Sequence, residues 1–226
     1  MKLLFIFSFL VALTSSAMAQ QPEEVSPREG NLYIGVGATN VEYHIYYKEK
    51  KGTGTVRSGY FTPMFLTVGY KWTERAKLQV SLGYGGDKQE IEGAGGTTAS
   101  SRTQALALAV SGQFTFFNVL KRFPVYGSVT AMPAYGTTKS KETENGVIVS
   151  DTKDAGTDVF ATAALGFNYK ISKRFTGYTE YLFFKRSLTG ENSYYYDWNQ
   201  DATLLDRVAK SLAMGLNYNF NLKQEK

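Results

Sequence analysis

The chain has 226 residues, with 25 Lys and Arg against 20 Asp and Glu, no Cys, 16 Tyr and 15 Phe. That length suits one large all-β domain, and the missing cysteines exclude a disulfide framework. A net charge of +5 with no basic stripe argues against nucleic acid as a partner.

The first residues, MKLLFIFSFLVALTSSAMAQ, carry Lys2, an apolar run from Leu3 to Leu13 broken by Ser8, and Ala17-Met18-Ala19. A basic start, a short apolar stretch and a small-x-small site predict a secretory signal peptide, residues 1–19, cut after Ala19. About 11 apolar residues are too few to span a bilayer as a helix. Cleavage removes one cation, Lys2, so the mature charge is +5 − 1 = +4. Residues 20–30, QQPEEVSPREG, are polar with two prolines and read as a disordered lead-in. Beyond them no apolar run reaches the ~18 residues of a transmembrane helix.

Alternation of period two then predicts eight strands in chain order. Strand one covers 31–47, with Leu32, Ile34, Val36 and Ala38 on one face and Tyr33, Gly35, Gly37 and Thr39 on the other. Strand two is 58–72, with Met64, Leu66, Val68, Tyr70 and Trp72 on its apolar face. Strand three is 76–86, strand four 101–117 and strand five 124–136, where Pro133 suggests a bulge or a ladder gap. Strand six is 158–171, strand seven 175–187 and strand eight about 206–222, including SLAMGLNYNF. The links after strands two, four and six are short, and those at 48–57, 87–100, 137–157 and 188–205 are long and polar. Both termini fall on the short-link side, the arithmetic of an even-stranded up-and-down barrel. Asn145-Gly146 is a preferred hairpin turn, so strands five and six can run on beyond the rim as a ribbon.

Apolar faces can meet a core, a ligand or lipid. The opposing face is built from Gly35, Gly37, Gly83, Ala105, Ala107, Ala109, Gly166, Ala213 and Gly215, too small and too uncharged for a water-facing exterior. Small side chains do fit the interior of an eight-stranded barrel. Aromatics gather beside the short links: Tyr70 and Trp72, Phe114 to Phe117, Tyr169, then Tyr218 and Phe220. That sorting by height is the pattern of an interfacial girdle. Some strands also exceed the ~9–11 residues a tilted strand needs to cross hydrocarbon. The expected fold is therefore all-β: an eight-stranded antiparallel up-and-down transmembrane β-barrel over 31–222, with a short tail at 223–226.

On the signal peptide, the alternating link lengths and the terminal GLNYNF, the chain resembles the small outer-membrane β-barrel proteins of Gram-negative bacteria, such as the membrane domain of outer membrane protein A and the opacity-type and porin-family small barrels. The resemblance implies residence in the outer membrane, with outer-membrane lipid, the barrel-assembly machinery and periplasmic chaperones as partners. It also implies that Tyr218 and Phe220 serve as the assembly signal, although here Phe220 is followed by NLKQEK. Members of that family differ in function; the expected function here is structural or surface-interacting, with a lumen filled by side chains and long loops that can take an extracellular ligand. A narrow channel and a lipid-modifying enzyme are the alternatives.

Individual residues stand out against this background. Glu180 lies mid-strand in GYTEYLFF, where the lipid side is costly, so it should face the lumen and meet a cation. Lys71, Lys77 and Lys170 have lumen parity and are the candidates; the role is a gate or a structural ion pair. His44, the single histidine, is an interfacial residue or a base near Asp87, Ser100 and Ser101. Tyr194, Tyr195, Tyr196 and Trp198 in the last long link form a binding surface or pack on neighbouring loops. The acids of that link lack calcium-loop spacing, and GVGATN opens no helix, so no metal, cofactor or phosphate loop is expected. No catalytic set is expected either.

Overall fold

The computed structural model describes residues 31–47, 58–93, 96–119, 123–189 and 203–220. The expected signal peptide, lead-in and tail, and Tyr194 to Trp198, lie outside the described residues.

The described chain forms β1 (Leu32–Thr39), β2 (Tyr43–Tyr46), β3 (Ser58–Lys71), β4 (Ala76–Glu92), β5 (Thr97–Val119), β6 (Phe123–Glu144), β7 (Val147–Lys170), β8 (Phe175–Ser187), the helix α1 (Leu204–Ala209) and β9 (Leu212–Asn219). From β2 onward consecutive strands pair antiparallel, and β1 pairs with both β3 and β9. The ring is closed by eight strands. The ninth, β2, is not an independent member, because it continues β1 along β3 alone.

The expected strand one is thus interrupted. Ala38 pairs with Met64 and Tyr43 with Phe61, so four residues of one strand face two of the other. Pro63 sits opposite the break and has no N–H to give. The freed chain is held by the Asn40 amide to the Leu212 carbonyl at 2.8 Å and the Asn40 side chain to the Ala209 carbonyl at 3.0 Å. Strand eight is also corrected: it begins at Leu212, and residues Leu204–Ala209 before it are helical. Thr203 caps that helix by accepting from the Asp206 amide, and Asp206 favours the first turn.

The long link 87–100 is corrected as well, and the ribbon expected from the Asn145-Gly146 turn is present. Residues 87–92, 97–100 and 137–157 are strand, apart from the turn at Asn145 and Gly146, whose φ values are 48° and 82°. They lack an apolar stripe, yet their backbone pairs from Glu92 with Thr98 to Glu144 with Val147. Four strands therefore continue well past the barrel rim. Pro133 leaves a ladder gap: pairs with β5 skip from Ala107–Ala134 to Val110–Ala131 without a change of register.

Outward-facing side chains form a continuous apolar belt. Met64, Leu66, Val68, Leu78, Val80, Leu82, Leu106, Leu108, Val110, Leu165, Phe183 and Met214 are all exposed. From Leu106 to Phe116 is a rise of about 25 Å at ~3.3 Å per residue and a tilt of about 40°. Trp72, Phe116, Phe117, Phe123 and Phe175 ring the short-turn end. A belt of this size facing water would aggregate. Facing hydrocarbon it is at home, and closure of the ring leaves the belt no unpaired edge.

Candidate functional site

Inward-facing positions alternate with the belt and divide the lumen into two storeys. Near the short turns the storey is polar. The Tyr33 hydroxyl donates to Gln79 Oε1 at 3.0 Å, and Gln113 Nε2 donates to the same oxygen at 3.3 Å and to Glu180 Oε1 at 3.5 Å. Ser128 Oγ donates to Glu180 Oε1 at 3.3 Å, which completes a chain through β1, β4, β5, β8 and β6. Thr67 with Ser81 at 2.8 Å and Ser111 with Thr130 at 2.6 Å add cross-strand pairs. Small residues make room for this. A Cβ on Gly69 would lie 2.0 Å from the Tyr33 ring, so only glycine lets Tyr33 lie across the wall.

Glu180 sits opposite Gly166 and Ala213 and faces the lumen wall, and the groups donating to its carboxylate, Gln113 and Ser128, are neutral. Amide and hydroxyl donors meet its Oε1, and Lys77, one of the cations expected beside it, acts on the carboxylate electrostatically. Lys71 and Lys77 face each other at the first rung of the β3–β4 hairpin. Lys170, opposite Thr176, is exposed at the short-turn rim. Gln79 and Gln113 were missed in the sequence, although their lumen parity in mid-strand was the signal that could have found them.

Towards the long loops the storey is apolar. The segment carrying β2 turns Val41, Tyr43 and Ile45 inward, at 0%, 4% and 0% exposure, against Phe61 at 0%, Met132 at 1% and Phe160 at 3%. The Tyr43 ring meets Phe61 at 5.5 Å and Phe160 edge-on at 5.1 Å. Between the storeys a cavity of about 60 Å³ is lined by Thr67, Gln79, Ser111, Glu180, Tyr43 and Leu182 among others. That is room for a few waters, enclosed above by close-packed side chains.

Above the apolar storey, Tyr47 bonds Thr138 at 2.7 Å and Thr138 bonds Thr103 at 2.8 Å. Asp158, 1% exposed, accepts from the Val159 amide at 2.7 Å, from Ser187 Oγ at 2.7 and 2.9 Å, and from Thr189 Oγ1 at 2.9 Å, tying β7 to the end of β8. Lys185 Nζ donates to the Glu42 carbonyl and stands 5.3 Å from the Tyr43 ring centre. His44 stacks on Tyr60 at 4.0 Å and touches Tyr46 at 4.1 Å. Asp87, Ser100 and Ser101 instead pair within the β4–β5 ribbon, with Thr103, Glu90 and Gln89. No metal-holding group of three or more His, Cys, Asp or Glu occurs among the described residues.

At the other end, Phe175 packs edge-on to Tyr218 at 5.3 Å, and Tyr218 to Phe220 at 5.2 Å. Arg174 Nη1 donates to the Tyr218 hydroxyl at 3.0 Å, and the Phe220 amide to the Leu32 carbonyl at 3.0 Å.

A closed eight-strand ring, an apolar belt of membrane height, an aromatic girdle and a packed lumen define a small integral outer-membrane barrel. A family model for the outer membrane protein beta-barrel domain matches residues 5–220. The chain belongs to that family, and its place is the cell outer membrane. Among solved structures it is similar to Ail, the attachment invasion locus protein of Yersinia pestis, with 14% identity, TM-score 0.43, and 85% of this chain and 100% of that chain covered. It is also similar to the N-terminal β-barrel domain of Pseudomonas aeruginosa OprF, with 13% identity, TM-score 0.42, and coverage of 85% and 100%. Neisserial surface protein A matches at 12% identity, TM-score 0.40, with coverage of 84% and 97%. No curated protein matches the sequence.

Proposed function

We propose that this chain is a non-conducting barrel whose work is done at the cell surface, by the sheet that β4 to β7 raise above the membrane and by the link of residues 190–202. The observation that carries the reading is the apolar storey. Val41, Ile45 and Phe61 are 0% exposed and Met132 1%, so a solvated ion would meet a layer of close-packed hydrocarbon. Short turns lie on the periplasmic side of such barrels and long connections outside. β6 and β7, with 22 and 24 residues, far exceed the ~9–11 that cross the hydrocarbon. The excess is ordered sheet, a platform for an external ligand, and Tyr194, Tyr195, Tyr196 and Trp198 of the last long link are proposed to contribute to its binding. Tyr218 and Phe220, at the end of the closing strand, are proposed to be read by the assembly machinery before the ring closes.

The test is planar-bilayer recording of refolded, inserted protein over a range of salt. Silence is the expected result. Reproducible current steps would overturn the reading in favour of a narrow channel. One observation favours that second reading: β2, which supplies part of the seal, pairs with β3 alone. Its displacement would open the 60 Å³ cavity and the polar chain below it to the outside.

A further inference from the structure

The strand register produces a row of cations that no sequence pattern announces. Lys88 pairs with Arg102, Arg102 with Lys139, and Lys139 with Lys153, on four adjacent strands. All four are exposed. Four strands at ~4.8 Å spacing make the row about 14 Å wide. Like charges directly opposite one another are unfavourable, so this arrangement works against the sheet unless something outside offsets it. Among the described residues, the ion pair within the row's reach is Lys88 with Glu90 at 3.5 Å, and both partners are largely exposed.

The face matters as much as the charge. Two residues down each strand stand Gly86, Gln104, Thr137 and Ala155, with no charge; two further down stand Tyr84, Leu106, Tyr135 and Thr157. Tyr84, Leu106 and Tyr135 are 58%, 51% and 51% exposed and belong to the lipid-facing belt. The four cations are on that same outer face, about 10 Å above the top of the belt for a rise of four residues at a tilt of about 40°. One step higher the row is Glu90, Ser100, Lys141 and Asp151, which carries a net charge of 1 − 2 = −1. The positive band is therefore confined to one level, the level at which lipid headgroups surround the barrel.

We propose that Lys88, Arg102, Lys139 and Lys153 form a binding site for the phosphate-bearing headgroup of an outer-leaflet lipid. Arg102 supplies a bidentate fork and the lysines movable point charges, the residue types that hold phosphate. Their aliphatic stems reach back along the neutral row toward the lipid. The acyl chains of the same molecule then cover Leu106 and its neighbours, so headgroup and tail are recognised by one continuous face.

The test uses the full barrel refolded in zwitterionic micelles, titrated with bisphosphorylated lipid A carrying a fluorophore. The wild type is expected to bind with a dissociation constant that weakens as salt rises. Replacing the two central cations, R102Q with K139Q, is expected to weaken binding about tenfold or more, with the heat-modifiable gel mobility of a folded barrel retained. The exposed pair K173Q with R174Q, on the opposite rim, is expected to leave binding unchanged. K139R is expected to keep it, and serves as the readout if the double variant does not fold. Unchanged binding by R102Q with K139Q, or lost binding by K139R, overturns the site. Equal loss on the K173Q and R174Q side overturns its specificity. Inorganic tripolyphosphate bound as tightly as the lipid overturns the lipid assignment and makes the row a soluble-polyanion site.

Discussion

The two storeys of the lumen are built from the same eight strands and solve the same problem in opposite ways. Below, polar groups are joined in a chain, from Tyr33 through Gln79 and Gln113 to Glu180 and Ser128. Above, Val41, Tyr43, Ile45, Phe61, Met132 and Phe160 close the bore by packing. The comparison teaches that a narrow barrel can be filled by hydrogen bonds or by volume. The break in strand one decides where one gives way to the other, because it turns β2 inward. A hydrogen-bonded storey tolerates water in its gaps. A packed storey excludes it.

Removing volume from the upper storey should have the largest effect. Phe61→Ala deletes a side chain of zero exposure, and a cost of about 3–5 kcal/mol is expected. Guanidinium unfolding in lipid vesicles measures it, and a loss under about 1 kcal/mol would mean that the seal is loosely packed. The same variant, where it remains folded, should pass current in a planar bilayer if the seal alone blocks the bore. In the lower storey, Glu180→Ala leaves the Gln113 amide and the Ser128 hydroxyl without their shared acceptor. A smaller destabilisation of about 1–3 kcal/mol is expected. Its conductance should stay silent, because the packed storey remains; current steps in this variant would move the barrier to Glu180. The smallest effect, of opposite sign, belongs to the raised sheet. Lys139→Glu puts an acid between Arg102 and Lys153. In lipid-free micelles it should stabilise the barrel by about 0.2–1 kcal/mol, read as a small rise in melting temperature. A fall would show that the cation row is not strained.

Much of the barrel was legible because lipid imposes a rule on sequence. Leu106, Leu108 and Val110 must alternate with Ala105, Ala107 and Ala109 when one face meets hydrocarbon and the other a narrow bore. The ribbon of residues 137–157 beyond Pro133 was only half legible. Asn145-Gly146 announced the turn, but strands bathed in water on both faces carry no alternation, so on the other hairpin DKQEIE and TTAS, residues 87–92 and 97–100, read as loop. The helix at Leu204–Ala209 was hidden across the boundary between the link 188–205 and the strand read from about 206, since six residues are too short a span to show a helical period. Parity gave Glu180 a face but could not name Gln113 and Ser128 as its donors, because it says nothing about which strands meet across the lumen.

What the sequence determined by itself was the barrel: its strand number, its lipid-facing side and its girdle, all of which follow from local periodicity and from link length. What only the tertiary structure decided were the contacts that depend on register. The Tyr33–Gln79–Gln113–Glu180 chain, the inward turn of β2 onto Phe61, and the alignment of Lys88, Arg102, Lys139 and Lys153 each join residues far apart in the chain. Shifting one strand by a single residue would turn its side chains to the other face and dissolve all three, and nothing in the local pattern of one strand records how it is aligned with the next.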